Sequence, residues 1–82
     1  MHLDIVTPDK KIFEGEVSLV QVPGTKGLFE ILRNHAPLIS TLEEGSIKIV
    51  DDKNKIQYFS ITSGVIEVKD NDIIVLAETV SD

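Results

Sequence analysis

Apolar and polar residues alternate over short stretches of this chain, and nowhere does a 3.6-residue period persist. In residues 3–6, Leu3 and Ile5 fall on one face and Asp4 on the other, which predicts a strand. Pro8, Asp9 and Lys10 read as a turn, residues 11–13 as a short strand, and Glu14-Gly15-Glu16 as a bend or bulge. Residues 17–22 continue as a strand with shifted parity: Val20 and Val22 share one face, Val17 and Leu19 the other. One buried face per strand then leaves Leu19 as a candidate exposed apolar residue.

The sharpest turn is Pro23-Gly24-Thr25-Lys26-Gly27, with two glycines able to take positive φ. It leads into the stretch on which the rest is organised, residues 27–42. Leu28, Phe29, Ile31 and Leu32 give a strand pattern; Arg33, Asn34 and His35 form a polar corner; Ala36-Pro37 precedes a second apolar run at Leu38 and Ile39. Proline has no N–H and a fixed φ, so Pro37 rules out one helix through the segment. Strand, corner, strand remains.

Beyond Glu43-Glu44-Gly45, residues 46–50 alternate cleanly, with Ile47 and Ile49 inward. A polar hairpin tip at residues 51–55 leads to a strand at 56–61, rich in aromatic and β-branched side chains. Thr62-Ser63-Gly64 is a kink, Ile66 and Val68 point inward, and Asp70-Asn71-Asp72 turns the chain again. Residues 73–77 are almost continuously apolar, so that strand is covered on both faces or covers a partner. Turns recur about every 8–12 residues, the layout of an all-β antiparallel sandwich or flattened barrel of about 8–10 short strands, here one domain over residues 1–82.

Composition narrows the function classes. At 82 residues the chain hides roughly 60–65% of its extended surface, enough for one modest core. A net charge of −6 argues against nucleic acid, whose phosphates would repel it. Without cysteine there is neither a disulfide staple nor a thiolate metal site. No apolar run approaches the roughly 18 residues of a membrane-spanning helix, so any membrane link is expected through a partner.

Catalytic chemistry is poorly represented. There is no G-x-S-x-G elbow, and His2 and His35 are not at ligand spacing; His2 sits at a terminus expected to fray. His35, beside Ala36-Pro37, is read as holding its corner by a backbone hydrogen bond. Glu43-Glu44 and Asp51-Asp52 lie at turns and are read as solvated. Gly24-Thr25-Lys26-Gly27 is too short for a phosphate loop, and no helix follows it. No catalytic, cofactor or metal site and no small-molecule substrate are expected. Two non-catalytic classes remain. Lys53 on its hairpin, as Asp52-Lys53-Asn54, allows a lipoyl- or biotinyl-type carrier, although the usual Asp-Lys-Ala or Met-Lys-Met is not there. A coupling module is the other. Leu19, Leu28 and the outward positions of residues 73–77 are more apolar side chains than a small core consumes, unless a one-residue register error has turned them outward.

The ordered set of motifs decides between these. The run VPGTKGLFEILRNHAPL over residues 22–38, then Glu44-Gly45-Ser46-Ile47-Lys48-Ile49, Thr62-Ser63-Gly64-Val65-Ile66-Glu67-Val68 and Ile74-Val75-Leu76-Ala77-Glu78-Thr79, resembles the epsilon subunits of F-type ATP synthases. The mitochondrial equivalent is called delta, and the likeness covers nearly the whole chain. It implies the N-terminal β-sandwich of a non-catalytic rotor subunit. That domain clamps the gamma subunit and touches the loops of the membrane c-ring, so that proton- or sodium-driven rotation is coupled to ATP synthesis. It implies a peripheral place at the cytoplasmic face of the bacterial inner membrane. By this likeness Thr25, Lys26, Leu28, Glu30, Arg33, Asn34 and His35 form a loop facing the c-ring, and Leu19, Ile74 and Leu76 an apolar surface facing gamma. Gly24, Gly27, His35, Ala36, Pro37, Gly45 and Gly64 shape corners and turns.

Departures from the family pattern carry expectations of their own. Leu28 stands where the family often has an acidic residue and Glu30 where it has glycine, as if the charge had moved along the loop. Arg33-Asn34 replaces Pro-Gly before His-Ala-Pro; asparagine tolerates the left-handed conformation, so the corner is expected to survive. The family's C-terminal helical hairpin would begin where the sequence stops, at Asp82. The expectation is coupling without hairpin-borne inhibition and without an ATP site.

Overall fold

The computed structural model describes residues 1–81, and every regular element in it is a strand. The strands are β1 (His2–Val6), β2 (Lys11–Gly24), β3 (Gly27–Leu32), β4 (Leu38–Leu42), β5 (Gly45–Asp51), β6 (Ile56–Ile61), β7 (Gly64–Lys69), β8 (Asp72–Ala77) and β9 (Val80–Ser81). Their hydrogen-bonded order is β1-β8-β7-β4-β2-β5-β6-β9, with β3 also on β2 and β1 also on β2.

β2 organises the molecule because its 14 residues serve two layers. Its first part pairs with β1, which continues through β8 and β7 to β4. Its second part pairs with β3 and β5, and β5 leads to β6 and β9. Alternation then sends one side chain in two inward from each layer. Leu3 and Ile5 of β1, Ile66 and Val68 of β7, and Ile73, Val75 and Ala77 of β8 meet Val20 and Val22, Ile31, Ile47 and Ile49, and Phe59 and Ile61 from the other layer in one core. Phe13 closes one end, its ring 6.0 Å from that of Phe59 at a tilt of 59°.

The all-β sandwich matches the sequence expectation, with three corrections of detail. First, the layers are not purely antiparallel: β1 and β8 run parallel. Parallel neighbours need a long connection, and most of the chain lies between these two. Second, β2 runs unbroken through Gly15, which pairs with Leu3. Its irregularities lie elsewhere, where the β1 register skips Ile12 and the β5 register skips Ser18. The bulge at Ser18 turns Val17 to the same side as Val20, so Val17 is core rather than a companion of Leu19. Third, only Gly27 of the two turn glycines has positive φ, at 126°.

Gly64 is required by close approach. A Cβ there would lie 2.6 Å from the Leu76 carbonyl oxygen, a backbone atom that β7–β8 pairing holds in place. Gly64→Ala is therefore expected to lower stability by about 1–3 kcal/mol, read as a shift in the urea midpoint. A midpoint equal to wild type would mean that the β7–β8 approach is looser than described.

Candidate functional site

The sequence singled out the stretch around β3, and its geometry follows from how its two ends are tied. At one end the β2–β3 hairpin turns through Thr25 and Lys26, with Gly24 paired to Gly27. Thr25 N–H donates to the Thr41 carbonyl at 3.2 Å, and the two threonine hydroxyls lie 3.1 Å apart. At the other end Asn34 adopts φ 67°, as expected of an asparagine replacing glycine. Its N–H donates to Asn71 Oδ1 at 2.7 Å, and its own Oδ1 accepts from Asn71 Nδ2 at 3.1 Å. Asn71 belongs to the β7–β8 turn, where Asp70 and Asn71 have φ 52° and 62°, so two left-handed corners fasten each other. The His35 amide donates to the Leu32 carbonyl at 3.1 Å, and its Nδ1–H to the Ala36 carbonyl at 2.8 Å.

The residues expected to form one loop thus lie along a strand. Thr25 and Lys26 sit at one end of β3 and Arg33 and Asn34 at the other, roughly 20 Å apart for six residues. Leu28 and Glu30 point outward between them, and Leu28 is 67% exposed. After the corner the chain doubles back, so that His35, Leu38 and Ile39 line a groove together with Lys26, Leu28 and Phe29.

The three apolar residues assigned to one surface divide between two. Ile74 and Leu76 lie on the outer face of the β1-β8-β7-β4 layer. There the register aligns Leu76 with Val65 on one side and Val6 on the other, and Ile74 with Glu67 and, beyond it, Ile39. Leu76 is 55% and Ile39 72% exposed. Leu19 is half-buried on the opposite side of the sandwich, in a row running Leu32, Leu19, Val50, Ile56. Apolar patches of this kind on a small domain mark partner surfaces. This chain has two, back to back.

One cluster escaped the sequence reading. His2 does not fray: it is the first residue of β1, and its N–H donates to the Asn71 carbonyl at 2.9 Å. The β1–β2 register sets His2 opposite Glu16 and Asp4 opposite Glu14. Alternating His-x-Asp against Glu-x-Glu was visible in the sequence, but only the strand register brings the two together. Lys11 Nζ reaches Glu14 Oε1 at 2.8 Å and Asp4 Oδ1 at 3.4 Å. Asp4 Oδ1 is buried and has no other polar partner among the described residues. His2, Asp4 and Glu14 offer ligand atoms within 4.8 Å of one another. The Lys11 ammonium already serves both carboxylates, however, so we assign no metal there. The hydrogen bond from Lys11 holds the Glu14 carboxyl below its usual range, and that from His2 does the same for Glu16.

Lys53 sits in the β5–β6 turn, where its backbone N–H and that of Lys55 donate to Asp51 Oδ1 at 2.8 and 2.9 Å. These bonds, Lys55 first, lower the Asp51 pKa. The turn is built around Asp51, and the Lys53 side chain is simply exposed.

Comparison with known proteins gives a consistent picture. Residues 1–82 match the family described as ATP synthase, delta/epsilon chain, beta-sandwich domain. The chain is 43% identical over 79 residues to the ATP synthase epsilon chain of Chlorobaculum tepidum and 46% over 80 to that of Chlorobium limicola, covering 90% of each. It is 40% identical to the epsilon chain of Leptospira borgpetersenii, of which it spans 61%. In fold it resembles a chain of the Euglena gracilis mitochondrial ATP synthase, with a TM-score of 0.90 at 18% identity, over 96% of this chain and 51% of that one. A chain from the central stalk and c-ring of the Tetrahymena thermophila enzyme gives 0.81 at 23% identity, over 99% of this chain and 65% of that one. The likeness lies away from lipoyl and biotinyl carriers, the alternative that Lys53 had raised.

Proposed function

Because the chain belongs to the ATP synthase delta/epsilon chain family, we propose that it is a non-catalytic subunit of the central stalk, joining the gamma subunit to the c-ring so that ion-driven rotation reaches the catalytic head. The match to the family's β-sandwich domain over residues 1–82 carries this reading. The surface supports it in kind: two exposed apolar faces and a polar strip suit a part that works by contact rather than by chemistry. The layer bearing Val65, Ile74 and Leu76 is assigned to gamma, since these residues lie side by side on β7 and β8 with Ile39 of β4 beyond them, a contiguous exposed apolar patch. The strip along β3, from Lys26 through Leu28 and Glu30 to Arg33, Asn34 and His35, is assigned to the c-ring loops. Its place in the cell is then the cytoplasmic face of the bacterial inner membrane, held there through the complex.

Affinity purification of the tagged chain from its native lysate, with mass spectrometry of bait and prey, tests the reading. Gamma and c-ring subunits with an unmodified bait support it. A lipoyl or biotinyl mass on Lys53, with a dehydrogenase or carboxylase as prey, overturns it in favour of a carrier. Within the same assay, Arg33→Glu is expected to reduce recovery of the c-ring several-fold, by placing like charge against acidic loops. Full recovery with the reversed charge would remove Arg33 from the contact.

A further inference from the structure

The face assigned to gamma also carries, beside its apolar centre, a histidine held among three carboxylates, and the coupling role leaves it unexplained. His2 Nδ1 lies 3.0 Å from Glu16 Oε2, while Nε2 lies 3.3 Å from Glu14 Oε2 and 3.5 Å from Asp4 Oδ2. A neutral imidazole carries one N–H, so one ring nitrogen would turn its lone pair toward carboxylate oxygen. An imidazolium donates from both. We propose that His2 is a proton-operated clamp on the β1–β2 pairing: protonated, it bridges Glu16 to Glu14 and Asp4, and on losing its proton it releases that end of β1.

The surroundings make the device directional. Facing His2 are Asp4 on its own strand and Glu14, Glu16 and Lys11 on β2. From β8 comes Asp72, in register with His2 and opposite Lys69 of β7, and the Met1 ammonium lies 3.7 Å from Glu16. Lys11 is committed to Asp4 and Glu14, which leaves Glu16 to His2 at 3.0 Å and, at the longer distance, the Met1 ammonium. Accordingly the His2 pKa is raised, first by the hydrogen bond to Glu16, against a smaller effect of desolvation, with the charges of Asp4, Glu16 and Glu14 adding to it. A raised histidine value means that the clamp's contribution is complete below the ordinary value of about 6.5 and is lost as pH rises through the folded one. Glu14 and Glu16, with lowered values, act in the opposite sense and lose their contribution only in acid. The clamp is closed between those limits and opens on the alkaline side.

The test uses the whole chain with an untagged N-terminus. Amide-exchange protection and the His2 ring resonance are followed from about pH 6 to about pH 8, the range in which histidine titrates, in wild type, His2→Gln and Glu16→Gln. Protection in the β1–β2 pairing is expected to fall with rising pH relative to the β5–β6 pairing, and His2→Gln to abolish that fall. Glu16→Gln is expected to move the His2 midpoint downward. An unchanged pH dependence in His2→Gln, an equal loss in both pairings, or an unmoved His2 midpoint in Glu16→Gln would each overturn the clamp.

Discussion

Ile47→Ala is expected to destabilise the chain by about 2–5 kcal/mol, the cost of removing a buried isoleucine and leaving a cavity. Ile47 is fully enclosed, lies opposite Phe59 in the β5–β6 register, and belongs to the single core cluster. A domain this small commands roughly 4–8 kcal/mol in total, so the substitution removes a large fraction of its stability. Lys53→Ala, at an exposed turn whose hydrogen bonds use backbone atoms, should stay within about 0.5 kcal/mol of wild type. Urea denaturation of the pair provides the comparison. Equal midpoints would mean that the facing of β5 has been misassigned.

Leu76→Glu is expected to abolish stable association with the stalk while leaving the fold intact. Leu76 already stands in solvent, so a charge there disturbs no core packing. Docked against an apolar partner, the same carboxylate would be desolvated without a counter-ion, and losing a central apolar anchor costs about 2 kcal/mol or more, a factor of about 30 in affinity. Ile56→Glu makes the matching change on the opposite face, in the row that contains Leu19. Binding of purified gamma subunit to the two variants decides which face docks. If Ile56→Glu loses binding and Leu76→Glu keeps it, gamma meets the β5–β6 side and the assignment made above is reversed.

These two substitutions also mark how far the sequence could be read. Strand positions, the turns at residues 51–55 and 70–72 and the inward set Ile47, Ile49, Ile66 and Val68 follow from period-two alternation and turn chemistry, and the structure has them. Val17 was placed on the wrong face because a bulge inserts one residue without leaving a glycine or proline to announce it. Leu19 was grouped with Ile74 and Leu76 because outwardness is local to a strand, whereas the direction of outward depends on which layer the strand joins. The His2 cluster was missed for a related reason: residues 2, 4, 14 and 16 become neighbours only through a register that composition does not encode. The asparagine corner was legible, since few other residues accept φ near 67°. Its partner, Asn71, was not.

β1 is the first of the nine described strands, yet it lies between β2 and β8, and its parallel partner is synthesised long after it. As the polypeptide leaves the ribosome, β1 can pair with β2 on one side only, and its other edge waits for some 65 further residues. Closing so long a loop before that pairing is rewarded places this domain among slow, topology-limited folders, which take about milliseconds to seconds. The nascent chain must therefore keep an unpaired hydrophobic edge soluble until β8 has emerged. Charged Asp4, projecting from the middle of that strand, is well placed to keep two such nascent edges from joining each other.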